Sequence, residues 1–246
     1  MALILVTGAS TGLGAATAQE LISQGHDVVV HARHPSRLDG LELAARARGR
    51  LHGDLADPEQ TRRVAEQANA VGRFDAVIHN AGTMDGADVL AVNVLAPYVL
   101  TAAMAPPGRV VVLSSSMHRS GRDDLAPVEA GSGGTYSDSK LLATAFALGL
   151  ASRLPDVLAH AVDPGWVPTR MGGPSATDDL AEGHRTQAWL AAAPAREISP
   201  RTGGYWHHRE IHRPHPLSED PGFQERLLRA LAARTGLDLP AAGAST

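Results

Sequence analysis

The chain opens on an unbroken apolar run, Ala2-Leu3-Ile4-Leu5-Val6, as a strand requires when both of its faces are buried. Helical spacing takes over after a glycine-rich turn, with Ala15, Ala16, Ala18, Leu21 and Ile22 as the apolar positions. The same alternation then repeats. Apolar runs at Asp27–His31, around Arg50–Gly53, and at Asp75–His79, Arg109–Leu113 and Val157–Val162 read as further strands, with longer helical segments between them. Strands alternating with helices predict an α/β chain with a doubly wound parallel sheet, in a single domain over residues 1–240. The Gly/Ala-rich end, 241–246, is expected to be a disordered tail.

Two predicted helices carry more apolar surface than one buried face needs. Val89 to Met104 and Leu141 to Leu154 are apolar nearly all round, with Asn93 the main interruption. One face must cover the sheet, and the other is too apolar for water, so something else covers it. A second copy of the chain and the C-terminal segment are the two candidates. Asn93 needs a hydrogen-bond partner in such a helix, and Pro97 predicts a bend close by.

The turn after the first strand, Thr7-Gly8-Ala9-Ser10-Thr11-Gly12-Leu13-Gly14, sits between a strand and a helix. In that setting one glycine permits the tight turn, another lets the backbone approach a pyrophosphate, and a third allows close packing of helix on strand. The free N–H groups of the helix start favour an anion. A dinucleotide cofactor is therefore expected here. At the end of the second strand, where NAD-specific proteins place an acidic residue against the ribose, the chain has Ala32 followed by Arg33. A guanidinium can pair with a 2′-phosphate bidentately, so the reading is NADP (NADPH) in preference to NAD.

Tyr136 and Lys140 are spaced to share one face of a helix, one turn apart. Phenol and ammonium titrate near 10 and 10.4 when unperturbed, so an adjacent ammonium is expected to pull the phenol towards the working range. Tyr136 then serves as acid for carbonyl reduction and as base for alcohol oxidation. The fifth strand ends in Ser114-Ser115-Ser116, three hydroxyls competing for one position beside a developing oxyanion.

The spacing Gly-x-x-x-Gly-x-Gly, followed by Ser115 and then Tyr136-x-x-x-Lys140, resembles the short-chain dehydrogenase/reductase family over about Ala2 to Gly204. The resemblance implies a Rossmann fold. It selects Ser115 among the three serines and adds Asn93, whose backbone carbonyl would hold a water in the proton path from Lys140. It implies that Asp54 binds the adenine amino group, that Leu55 packs against the ring, and that Asn80-Ala81-Gly82 lines the cofactor. It also implies that Pro164-Gly165, Val167 and Thr169 fix the nicotinamide carboxamide, beside Tyr136 and Lys140. Asp54 also has a structural alternative, as a cap for the helix starting near Asp57-Pro58; Asp163 reads as a strand-end cap rather than a catalyst. His79 stands where the family usually has asparagine. Members pair the two apolar helices with their copies, so a homo-oligomer, dimer or tetramer, is expected. The segment Ser116 to Thr135, with its Ser-x-x-His-Arg, is similar to the retinol-dehydrogenase-like branch, which often handles lipophilic carbonyls. Thr169 to His184, with Gly172-Gly173-Pro174 as hinge, is expected to close over the substrate.

Charge and composition narrow this further. A net charge of −4 gives no footprint for nucleic acid, and no apolar stretch reaches membrane-spanning length. The absence of cysteine removes disulfide and thiolate chemistry, and a cytoplasmic location is expected. His207, His208, His212 and His215 suggest a metal at first sight, but the nearby arginines oppose a cation and the prolines suggest a loop; no metal is expected. The function expected is hydride transfer between a nicotinamide cofactor and a ketone, aldehyde or secondary alcohol. The alternatives are a non-catalytic cofactor-binding sensor or scaffold, and a nucleotide-sugar epimerase or dehydratase.

Overall fold

The computed structural model describes residues 1–240; the expected tail at 241–246 lies outside them. The strands are β1 (Leu3–Val6), β2 (Asp27–Ala32), β3 (Gly49–His52), β4 (Ala76–His79), β5 (Arg109–Leu113), β6 (Leu158–Asp163), β7 (Tyr205–His207) and β8 (Glu210–His212). They form one sheet in the order β3-β2-β1-β4-β5-β6-β7-β8. Every neighbouring pair is parallel except β7 and β8. The order reverses between β1 and β4, where the connections run to opposite sides and leave a crevice beyond the carboxyl ends of the strands.

The helices are α1 (Gly12–Ser23), α2 (Glu42–Arg46), α3 (Pro58–Val71), α4 (Ala96–Ala103), α5 (Ala126–Ala130), α6 (Tyr136–Arg153), α7 (Leu180–Ala192), α8 (Pro216–Glu219) and α9 (Pro221–Thr235). Alternation along each strand divides the core. Ile4, Val6, Val28 and Val30 join the cluster that includes Ala18, Leu21 and Ala188 of α1 and α7, whereas Leu5, Val29 and Val77 join Val64, Ala68 and Leu100 of α3 and α4. Burial on both faces is why these strands read as continuous apolar runs.

Three expectations change. The segment read as a loop around His207–His215 is a hairpin that extends the sheet by two strands, with His208 and Arg209 at φ 48° and 64° in its turn. The helix expected from Val89 widens into a π-helical turn at Ala91–Leu95 just before Pro97, which has no N–H to give the Asn93 carbonyl four residues back. The irregular segment after Thr169 ends at Asp179, because α7 begins at Leu180 and includes His184.

The apolar helices find their cover within the chain. Every residue of α6 from Asp138 to Leu150 is buried. Phe223, Leu227, Leu228 and Leu231 of α9 share a core cluster with Leu142, Phe146 and Leu150 of α6, and with Tyr98 of α4. The Tyr98 hydroxyl donates to the Leu237 carbonyl beyond α9, at 2.8 Å. The unpaired face that argued for a second copy is therefore occupied by the C-terminal segment.

Candidate active site

The glycine turn leaves β1 at the switch point. Gly8 has φ +66°, and a Cβ there would meet the Ala81 backbone at 2.9 Å. Gly14 lies in α1 with no room at all, since a Cβ would stand 2.5 Å from the Gly8 carbonyl oxygen and 2.4 Å from the Asn80 amide nitrogen. Gly12 opens the helix at φ +57°, and its added Cβ would meet Thr169 at 3.2 Å. The loop after β6 thus folds over the turn. Thr11 stands at the N-cap but its side chain makes no capping bond, and the first turn of α1 carries no acidic residue. Its N–H groups and dipole are left for an anion, so this end of α1 fits a pyrophosphate. Ser10 and Thr11 are at least partly exposed beside it, and Leu13 begins the helix.

Thr7 serves a different end. It is buried, and its hydroxyl accepts from the backbone N–H groups of Asn80 and Ala81, both at 3.0 Å. The Asn80 side chain donates to the Thr7 carbonyl at 2.8 Å. These two residues lock the turn to the end of β4. His31, which carries no motif that singles it out, completes the lock: its Nδ1 accepts from the Gly8 N–H at 3.3 Å and its Nε2 donates to the Gly53 carbonyl at 3.0 Å. Burial holds the ring neutral, with its pKa lowered to about 4.

Across this crevice Ala32 is buried, while the Arg33 side chain is 73% exposed and lies 3.7 Å from the Asp54 carboxylate. Asp54 does not cap α3; Asp57 does, accepting from the N–H groups of Glu59 and Gln60. Leu55 is buried in the core with Val64 and Leu51. The His79 ring sits inside the sheet–helix interface, its Nε2 bonding Thr101 at 3.1 Å and its Nδ1 buried without a partner among the described residues.

Tyr136 is the first residue of α6, and Thr135 and Asp138 form a capping box around it. Arg122 grips the Asp138 carboxylate with its side chain and its backbone N–H, tying the segment before α6 to the start of that helix. Lys140 is buried one turn on and donates to the Leu113 carbonyl at 2.7 Å, its nitrogen 5.5 Å from the Tyr136 ring centre. Asn93 is also buried, and its partners are all filled: its amide pairs with the Thr83 backbone in both directions at 2.9 Å and donates to the Ser139 hydroxyl at 3.0 Å. Asn93 and Lys140 converge on Gly82, where an added Cβ would lie 3.2 Å from the Asn93 side-chain oxygen and 3.7 Å from the Lys140 nitrogen.

The three serines separate cleanly. Ser114 turns into the core and bonds Thr144 at 2.6 Å, Ser116 is exposed, and Ser115 stands by the Tyr136 hydroxyl, where its hydrogen bond favours the phenolate. Burial nevertheless dominates. The phenol is pushed up to about 12, with Asp163 adding to the rise. Lys140, its ammonium aimed at Leu113, does not enter this balance. Burial lowers Lys140 to about 8, against the Asp163 carboxylate, which favours its charge. Asp163 itself caps its strand end, accepting from the Gly165 N–H at 3.0 Å and from the Tyr205 hydroxyl at 3.2 Å.

Pro164 and Gly165, the latter at φ +83°, lead from β6 to Val167, which is buried. Thr169 accepts from the Gly172 N–H at 3.1 Å, and the Trp166 indole donates to the Gly172 carbonyl at 2.8 Å. Trp166, Met171 and Met117 are exposed large apolar side chains on the loops at this end of the sheet. Among the described residues no group of three or more His, Cys, Asp or Glu is placed to hold a metal ion, and no helix is long and apolar enough to cross a membrane.

A family model described as short chain dehydrogenase matches residues 2–180. The short-chain dehydrogenase chyC of Penicillium rubens is 34% identical over 260 residues, spanning 98% of this chain and 100% of its own. A short chain dehydrogenase from Burkholderia cenocepacia, solved in complex with NADP, is 25% identical with a TM-score of 0.67, over 83% of this chain and 94% of that one. A blue fluorescent protein from a metagenomic library, solved in complex with NADPH, is 26% identical with a TM-score of 0.69, over 84% of this chain and 95% of that one. On its glycine turn, its sheet order and these likenesses, the chain is an oxidoreductase that belongs to the short-chain dehydrogenase/reductase family.

Proposed function

We propose that the protein is an NADPH-preferring carbonyl reductase, or in reverse a secondary-alcohol dehydrogenase, acting on a small, largely apolar substrate. The observation that carries this reading is the convergence of Tyr136, Ser115, Lys140 and Asn93 at the carboxyl ends of β4 and β5, beside the uncapped start of α1. When bound, the nicotinamide donates or accepts the hydride. The chain's residues manage the proton and the charge. With its pKa raised, Tyr136 holds its proton at neutral pH and can give it to the carbonyl oxygen as negative charge develops there. The Ser115 hydroxyl donates to the same oxygen. The Lys140 ammonium, close to the ring, stabilises the phenolate that is left. Asn93, with its side chain fully engaged and its carbonyl spared by Pro97, supports a path for replacing the proton.

The uncapped N-terminus of α1 holds the pyrophosphate in this reading, and Arg33 takes the 2′-phosphate, with buried Ala32 leaving no carboxylate to hold a free ribose hydroxyl. The relatives solved with NADP and NADPH support the preference. Exposed Met117, Trp166 and Met171 supply an apolar rim for the substrate.

The test is cofactor consumption by purified protein with NADPH or NADH and a panel of ketones, aldehydes and quinones. Turnover that prefers NADPH and is lost in Tyr136→Phe supports the reading; a Tyr136→Phe protein keeping most of its turnover would sink it.

A further inference from the structure

Behind Ser115 lies a residue that the proposed chemistry does not use. His118 is fully buried, in the 3-10 turn Ser116–Ser120 that leaves the catalytic strand end. Its Nδ1 lies 2.7 Å from the Ser115 carbonyl oxygen, and its Nε2 lies 2.9 Å from the backbone nitrogen of His215, which follows β8. Each partner can play only one part. A carbonyl only accepts, so Nδ1 carries the proton; a backbone N–H only donates, so Nε2 is bare. The ring is thus a neutral imidazole with a single allowed tautomer. Its surroundings keep it so. Burial opposes the charge, as do Arg119 and His215, and outweighs the Ser115 carbonyl and Asp163, which favour it; the Tyr205 ring lies against the imidazole at 4.7 Å between centres.

The Ser115 carbonyl consequently accepts two hydrogen bonds from one residue, from the ring and from the His118 backbone N–H at 3.0 Å. Two donors on one carbonyl fix the plane of that peptide, and with it the direction of the Ser115 Cα–Cβ bond. The Ser115 hydroxyl oxygen meanwhile accepts from the Met117 N–H at 3.3 Å, which leaves its proton to point away. We propose that His118 is a positioning residue for Ser115, aiming the serine hydroxyl at the substrate oxygen and joining that aim to the seating of the segment after β8. This inference rests on the assignment of Ser115 and Tyr136 to carbonyl chemistry.

The two ring nitrogens can be tested separately. In His118→Asn the amide reaches the place of Nδ1 and keeps a donor for the Ser115 carbonyl, while the His215 N–H loses its acceptor. In His118→Gln the amide reaches the place of Nε2, keeping the acceptor and losing the donor. Expected is kcat within about threefold of the parent for the Asn variant and a fall on the order of tenfold to a hundredfold for the Gln variant, the scale of a misaimed catalytic group. NADPH binding, followed by fluorescence titration, should be unchanged in both. In a Ser115→Ala background the Gln penalty should disappear, because the two residues act through one hydroxyl.

A Gln variant as active as the Asn variant overturns the proposal, as does a Gln penalty that persists in full without the serine. If both variants lose NADPH binding and melt early, the role is structural and the proposal also fails. Tyr136→Phe is assayed in parallel. Its inactivity alongside a fully active Gln variant sinks this inference alone; its full activity sinks the functional reading, and this inference with it.

Discussion

The ammonium of Lys140 stands 5.5 Å from the centre of the Tyr136 ring, yet the hydrogen bond it donates goes to the Leu113 carbonyl. That bond anchors α6 to the end of β5 two residues before Ser115, so one side chain holds the helix and the strand that carry the site. It is also a buried charge, which the fold retains at an energetic cost. Lys140→Met should therefore separate two quantities that usually fall together. The loss in kcat is expected on the order of a hundredfold to ten-thousandfold. The melting temperature should stay within a few degrees of the parent, since a desolvated charge leaves along with its one hydrogen bond. A variant that unfolds before it can be assayed would show that the Leu113 bond matters chiefly to stability.

The two titrations set a pH profile with a definite sign. Tyr136, raised to about 12, stays protonated throughout the neutral range and is ready to donate. Lys140, lowered to about 8, carries its charge below that pH and loses it above. For carbonyl reduction, kcat/KM should be level on the acid side of about 8 and decline on the alkaline side. Alcohol oxidation needs the phenol to give up its proton first and should rise with pH. Opposite slopes in the two directions are the result to look for. A reduction rate that climbs through this range would show that Lys140 is not the group being titrated.

Arg33 is exposed and its anionic neighbour Asp54 is 3.7 Å away, so the guanidinium can turn to a phosphate with little rearrangement. Arg33→Ala should raise KM for NADPH by about tenfold or more, the scale of a lost charge-assisted hydrogen bond, and leave KM for NADH nearly unchanged. Ala32→Asp on the same background should bring NADH forward. Equal losses for both cofactors would mean that Arg33 does not read the 2′-phosphate.

The strand ends and the glycine turn were legible in the sequence because their constraints are local. A Cβ at Gly14 collides with the Gly8 carbonyl of the turn itself, as well as with Asn80, and Tyr136 and Lys140 meet through the period of their own helix. The β7–β8 hairpin was not legible. Its turn residues, His208 and Arg209, occupy left-handed conformations that usually call for glycine or asparagine, so the normal turn signal is missing. His31 was equally opaque, since its partners Gly8 and Gly53 lie more than twenty residues away, and the Ser-x-x-His-Arg pattern marked His118 without showing that its ring reaches the backbone of His215. The balance of effects on the phenol was not legible for a similar reason. Spacing set the distance between the two groups, but burial and the position of Leu113 decided the balance.

Asp138 makes the start of α6 sensitive to acid. Arg122's side chain holds its carboxyl well below the usual carboxylate range, helped by the Thr135 N–H and hydroxyl, against the effect of burial. A carboxyl with a depressed pKa adds stability that is fully present above its ordinary value of 3.8 and is lost as pH falls below it. Asp138→Asn should therefore melt several degrees below the parent at neutral pH, a loss of about 1–3 kcal/mol. The gap should narrow on acidification below about 4, as the carboxyl takes up its proton first in the unfolded chain and only at lower pH in the folded one. A gap independent of pH would place the effect in packing rather than in the Arg122 pair.

The cover on α6 bears on how the protein assembles. Family resemblance suggests pairing of α4 and α6 with a second copy, but here α9 and the segment carrying Leu237 occupy that ground. Among the described residues, none of the exposed large apolar side chains lies on either helix. Among the described residues, the C-terminal cover therefore competes for that face with a second chain. Sedimentation should return the mass of a single chain. Phe223 is fully buried in the cluster beneath α9, so Phe223→Asp should displace that helix and uncover the apolar face of α6. The variant is then expected to self-associate or aggregate where the parent does not. If the parent already sediments as a dimer, with α4 and α6 protected from hydrogen exchange only in the dimer, the C-terminal cover must open in solution and this account of it is wrong.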